Sequence, residues 1–135
     1  MQARALNNAG WYQALLGEFQ PALVSCRQAL EIHHQAADRY GEANTWDSLG
    51  YIHHRLGDHE QAVAGYRTAI GLWREVGDRY NEADTLTRLG DDLNEGGEHK
   101  AAQAAWRSAL TILERLAHPD QANVRAKLDA QDPPG

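Results

Sequence analysis

The sequence predicts an all-α fold, a stack of antiparallel helix pairs made of three repeats and a C-terminal capping helix. Three observations predict it. The chain repeats itself every 40 residues, and the residues in step are small: Gly10, Gly50 and Gly90; Gly17, Gly57 and Gly97; Ala22, Ala62 and Ala102; Ala29, Ala69 and Ala109. A period of this size marks a repeat array rather than one globular core. The 3.6-residue apolar period runs through almost every segment, and Pro21 is the only proline before Pro119. The breaks between periodic segments are a few residues long, so sequential helices must pack antiparallel.

Each element has a local cause. A first helix over 3–16 ends at Gly17, which accepts the left-handed backbone of a helix C-terminus. A second over 19–37 carries Pro21 in its first turn, where a missing N–H costs nothing. A third over 42–56 ends at Gly57. Asp58 then caps a fourth over 59–76, with Gln61 three residues on as its capping-box partner. Asn81 is the expected cap of a fifth helix over 82–96, and a sixth runs over 99–117. The stretch Gly-Asp-Arg-Tyr-Asn-Glu-Ala at 77–83 is expected to form the turn between units; Asp38-Arg39-Tyr40 and Glu42-Ala43 echo it one period earlier.

The seventh helix, over 120–130, is a fourth repeat cut short. Val124, Ala126 and Leu128 fall in frame with Asn44, Trp46 and Ser48, while Arg125 and Lys127 make its outer side polar, as a solubilising end cap requires. The domain therefore covers 1–130, with repeats near 1–40, 41–80 and 81–118 and the cap over 119–130. Residues 131–135 read as a disordered tail. Met1 opens almost directly into a helix, so residues 1–16 are expected to begin mid-array.

Composition excludes several function classes. The 135 residues carry a net charge of −6, opposite to the basic footprint of a nucleic-acid binder. No stretch is apolar enough to span a bilayer, and no signal peptide precedes the first helix, so a cytoplasmic location is expected. Cys26 is the single cysteine, so no internal disulfide forms; at a core position it acts as a small hydrophobe. Arginine outnumbers lysine 11 to 2, a bias common in GC-rich genomes such as those of actinobacteria. His33-His34 and His53-His54 do not chelate within a pair, because adjacent helix positions point about 100° apart. No nucleophile elbow, phosphate loop or paired metal-ligand signature is present. The chain is read as a non-enzyme with no metal and no cofactor.

Within each 40-residue unit the pattern resembles the tetratricopeptide repeat. The second unit reads Trp46, Leu49-Gly50, His53 and Gly57 along its first helix, then Ala62, Tyr66 and Ala69 along its second. The third supplies Ala102, Trp106 and Ala109, and the first Ala22, Cys26 and Ala29, with cysteine where an aromatic is usual. The family's usual period is 34, and the proline that closes its second helix is absent; Arg74 stands there in the second unit. The resemblance covers residues 3–117. It implies a right-handed superhelical array, an α-solenoid, whose first helices line a concave groove. The implied groove residues are Arg4, Asn7, Trp11 and Ala14 in unit one, Asn44, Asp47, Tyr51, His54 and Arg55 in unit two, and Asp84, Thr87, Asp91, Asn94 and Glu95 in unit three.

Trp11 and Tyr51 would then form an aromatic ladder, unless Trp11 is a core residue at the entrance of the array. Residues 82–98 hold six acids against Arg88 alone. They either attract a basic or amphipathic peptide or simply solvate an outward face. The function expected is a protein-interaction module that takes a protein or peptide in this groove. The period and the Gly-Asp-Arg-Tyr turn look like arrays at the C-terminal end of large bacterial transcriptional regulators, streptomycete antibiotic regulators among them, where this chain would be the sensory arm. Two alternatives stand beside it: a receptor for a signalling peptide, and self-association as a homodimer through the apolar face of the N-terminal helix, with Ala5, Leu6 and Ala9.

Overall fold

A computed structural model describes residues 2–131 and shows seven α-helices, with no strand among those residues: α1 Gln2–Leu15, α2 Phe19–Gln35, α3 Arg39–Arg55, α4 His59–Val76, α5 Arg79–Glu95, α6 His99–Arg115 and α7 Gln121–Gln131. The chain is a tetratricopeptide-like succession of helix pairs, α1 with α2, α3 with α4 and α5 with α6. Gln131 belongs to α7 rather than to the tail, and residues 132–135 lie outside the described residues.

The glycines expected to end helices do so. Gly17, Gly57 and Gly97 have φ of 81°, 78° and 84°. The second kind of break, between pairs, was legible only in part. Gly77 takes φ 77°, and the same register is filled by Ala37 at 54° and Ala117 at 52°. A left-handed alanine costs about 1 kcal/mol, and Ala37 is why α2 stops at Gln35 instead of running on to 37.

The Asp-Arg-Tyr strings are the starts of helices, not turns. α3 and α5 begin three residues before their expected positions, because Asp38 and Asp78 are the caps. Each carboxylate accepts the N–H three residues on, Gly41 and Asn81 respectively, at 3.0 Å. Asn81 is thus not the cap; its amide donates to Asp78 at 2.7 Å. In the next turn Glu42 and Glu82 are buried and accept from Arg39 at 3.1 Å and Arg79 at 2.7 Å. The aspartate and glutamate also suit the positive end of the helix dipole. Asp58 caps α4 as expected, accepting from the Gln61 N–H at 3.3 Å.

Residues up to Val76 form one compact unit and those from Gly77 a second. In the first unit, Ala14, Ala22, Leu23, Cys26, Leu49 and Ile52 make a core between α1, α2 and α3; Ala43, Ala69, Leu72 and Trp73 make another between α3 and α4. Both form because one glycine per pair lets a bulky side chain lie across the facing helix. A Cβ on Gly10 would stand 2.6 Å from Cys26 Sγ, and one on Gly50 2.6 Å from the Tyr66 ring. Gly90 meets Trp106 in the same way in the second unit. There α7 packs on α6 and buries Val124. Arg125 reaches Glu114 at 2.8 Å.

Candidate functional site

In the first unit the implied site residues come from α1 and α3, and helical geometry sorts them. Arg4, Asn44 and Arg55 are exposed, and Trp11, Tyr51 and His54 are half-buried. Asn7, Ala14 and Asp47 are buried. They do not line an accessible surface. The line through 3, 7, 10 and 14 is the stripe that α1 turns toward α2, and Asp47 lies on the corresponding stripe of α3, with Ala43 and Gly50. Asn7 Oδ1 sits 4.0 Å from Cys26 Sγ in that contact. Burial pushes the Cys26 thiol up to about 11, so it is a protonated core side chain at neutral pH.

What remains on the face is an aromatic pair. The Trp11 and Tyr51 rings are 4.8 Å apart at their centroids and tilted by 43°. This offset geometry suits two aromatic quadrupoles and leaves part of each ring open to a ligand. At the far end of α3 the Arg55 guanidinium lies 6.0 Å from the Phe19 ring centre, at the limit of a cation–π contact. The surface is therefore apolar at its middle and hydrogen-bonding at its ends, through Asn44, His54 and Arg55.

In the second unit the site residues lie on α5 and are already engaged. Asp84 pairs with Arg88 one turn on. The Thr87 hydroxyl donates to the Ala83 carbonyl at 2.9 Å. Trp106 Nε1 donates to both the Thr87 carbonyl and the Asp91 carboxylate, at 3.2 Å each. Lys127 of α7 places its ammonium 3.0 Å from Asp91. His99 Nδ1 lies 2.7 Å from Asn94 Oδ1, and Glu95 is exposed. Asp91, Asn94, Glu95, Trp106 and Lys127 line a cleft of about 390 Å³ that the end of α7 closes on one side. Asp91 and Asp92 do not face each other as repelling neighbours: Asp92 is buried, and Asp91 has Lys127.

Lys127 is the residue that sequence reasoning placed wrongly, on the outer side of the cap. The signal was available. Lys127 stands 40 residues after Thr87 and 80 after Asp47, so it occupies the groove position of the truncated fourth repeat.

His33, His34 and His53 have structural contacts. His33 is buried with Nδ1 3.1 Å from Asp38 Oδ2, and His34 Nδ1 lies 3.0 Å from Glu42 Oε1, so both brace the start of α3. His53 lies 3.7 Å from Asp58 at the next turn. Burial holds its pKa below the ordinary value, opposed by Asp58 and reinforced by Arg27.

No helix among the described residues is long and apolar enough to cross a membrane. No curated protein matches the chain. A family model for the tetratricopeptide repeat matches residues 41–115, more than half of the 135. Repeats of this kind are non-catalytic and mediate protein–protein interactions. With its in-step glycines seated on the facing helices and its helix pairs in the matching register, the chain belongs to the tetratricopeptide repeat family.

Proposed function

We propose that the chain binds a peptide or a neighbouring protein segment on the exposed faces of its first helices, as the sensory arm of a larger bacterial transcriptional regulator. The observation that carries the binding proposal is the Trp11–Tyr51 pair, two half-open rings in contact on α1 and α3, flanked by Arg4, Asn44, His54 and Arg55. Rigid aromatic anchors with polar neighbours are what interface hot spots are made of. The regulator context rests on the 40-residue period and the Gly-Asp-Arg-Tyr helix start, and no catalysis is assigned to the chain.

The ligand proposed is a basic or amphipathic peptide, attracted by Asp84, Asp91 and Glu95 with Thr87 and Asn94 beside them. The ion pairs on α5 set the terms. A basic side chain must displace Lys127 from Asp91 or Arg88 from Asp84, so it gains an exchange of partners rather than a new one. On α5 charge therefore supplies steering rather than net affinity.

The test is a displayed-peptide selection on the intact chain, with the selected peptides titrated calorimetrically at low and high salt. Tyr51→Ala and Trp11→Ala should each weaken binding at both salt concentrations. Replacing Asp84, Asp91 and Glu95 together by their amides should flatten the salt dependence. Selected peptides that bind the two alanine variants as well as the parent chain would place the site elsewhere.

A further inference from the structure

The first unit holds a cavity that the peptide site does not use. It opens over the N-terminal half of α3, between α2 and α4, with a volume of about 550 Å³. Helical spacing gathers its walls: 27, 30, 31 and 34 share one face of α2, 39, 42 and 46 one face of α3, and 68 and 72 one face of α4. Its apolar side chains are Leu30 and Trp46, both half-buried, and Leu72. One period on, Ile70 and Leu86 stand in the register of Leu30 and Trp46 and are each 5% exposed, so the opening belongs to this repeat and not to the repeat pattern. α1 takes no part in the lining, so the opening does not arise from where the chain starts. Trp46 lies about 140° around α3 from Tyr51, which separates the cavity from the aromatic pair.

The surroundings of the cavity select a compact ligand. None of the large exposed hydrophobic side chains among the described residues, Val24, Tyr40 and Leu56 included, lines it. Its apolar surface therefore ends at a charged rim, which suits a small molecule better than the broad apolar centre of a protein interface. The rim selects the sign. Glu42 is buried and both its oxygens are engaged, Oε1 with His34 Nδ1 at 3.0 Å and Oε2 with Arg39 at 3.1 Å. The Thr68 hydroxyl is spent on the Ala64 carbonyl at 2.9 Å. Arg27 forms no ion pair with any described residue, and the half-exposed Arg39 guanidinium, with five donors, has some to spare. Of the lining carboxylates only Glu31 is open, so two guanidiniums face one free acceptor in a chain of net charge −6. From volume, floor and rim we propose that this cavity binds an amphipathic organic anion, its ring body against Leu30, Trp46 and Leu72 and its carboxylate at Arg27, with Arg39 beside it. The Trp46 indole N–H pairs with no described residue and is not shut off from solvent, so it reports on the site. The proposal does not rest on the peptide site.

Titration of the isotope-labelled 135-residue chain with naphthoate, followed by NMR at the Trp46 indole N–H, tests it. That signal should shift saturably. The neutral naphthamide should bind about fivefold more weakly, the upper end for an exposed ion pair, and the cationic naphthylmethylamine more weakly still. Arg27→Gln should remove the preference for acid over amide and keep the helical signal, since Arg27 is exposed. Thr68→Trp places a ring in the mouth of the cavity from an exposed position, and should weaken all three ligands by at least about tenfold. An amine that binds better than the acid overturns the proposal and assigns the rim to Glu31. Equal binding of acid and amide overturns it as well, as does a preference that survives Arg27→Gln. A Trp46 signal unmoved by all three probes also overturns it, and leaves the cavity to a side chain of a protein partner.

Discussion

Two chemically identical substitutions, Gly50→Ala and Gly71→Ala, should part in stability, the second stabilising and the first neutral to destabilising. Both glycines sit inside helices, so each replacement gains about 1 kcal/mol of helix propensity. A Cβ on Gly71 meets nothing within 4 Å, so that gain is the whole effect. A Cβ on Gly50 stands 2.6 Å from Tyr66 Cδ1 and 2.7 Å from Cε1, where carbon atoms rest at about 3.5–4.0 Å. The ring must give by about 1 Å to restore that spacing. It is buried, and the helices already touch beside it, because a Cβ on Gly65 would lie 3.2 Å from the Gly50 backbone. Overpacking of this kind costs about 1–3 kcal/mol. Net of propensity, Gly50→Ala ranges from break-even to about 2 kcal/mol destabilising, and the two variants differ by the clash alone, about 1–3 kcal/mol. At roughly 4 °C per kcal/mol for a chain of this size, they should melt about 4–12 °C apart. Circular-dichroism melts and urea titrations in one buffer measure the difference. In a Tyr66→Ala background, Gly50→Ala should turn from harmful to helpful, since the clashing ring is gone. If Gly50→Ala raises the melting temperature as Gly71→Ala does, the close approach of α3 and α4 over Tyr66 is not the reason for the glycine.

Three further outcomes are expected. Glu18 and Glu98 occupy the cap register that Asp58 fills but make no side-chain cap bond, so Glu98→Asp should stabilise by about 1 kcal/mol; an unchanged urea midpoint would mean the shorter carboxylate does not reach the first-turn amides of α6. Val124→Ala should cost about 2 kcal/mol and expose α6, whereas Ala126→Gly in the same helix should cost only the propensity loss of about 1 kcal/mol; equal melting temperatures for the two would show that α7 is not held by Val124. Because burial holds the folded pKa of His53 below 6.5, the unfolded chain takes up that proton first as pH falls. The His53 contribution is therefore complete above about pH 6.5 and is lost below it, and His53→Gln should flatten the fall in urea midpoint over that range. An unaltered slope in the variant would mean that His53 does not carry the pH dependence.

The elements were readable because their causes are local or periodic. Gly17, Gly57 and Gly97 end helices through their own backbone freedom, Asp58 caps through its own carboxylate, and the three in-step glycines announce helix contact because no other residue leaves room for the Cys26 sulfur or for the Tyr66 and Trp106 rings. The family followed from the same repetition. The Asp38 and Asp78 caps are equally local: Asp-Arg-Tyr reads as a turn by composition, but aspartate followed by a first-turn glutamate is a helix start. Ala37 and Ala117 were hidden for another reason: a left-handed alanine carries no mark in the sequence, and only closure of the chain against its neighbours makes it adopt that backbone.

The site divided along the same line. Periodicity named the positions on the first helices, but it could not say which of them the facing helix covers. Asn7, Ala14 and Asp47 went to the helix contacts, while Trp11 and Tyr51, on different helices and 40 residues apart, came together at the surface. Likewise the acids on α5 were visible as composition, but their engagement was not. Lys127 reaches Asp91 only because α7 folds back, and an ion pair depends on a distance in space that spacing along the chain does not encode.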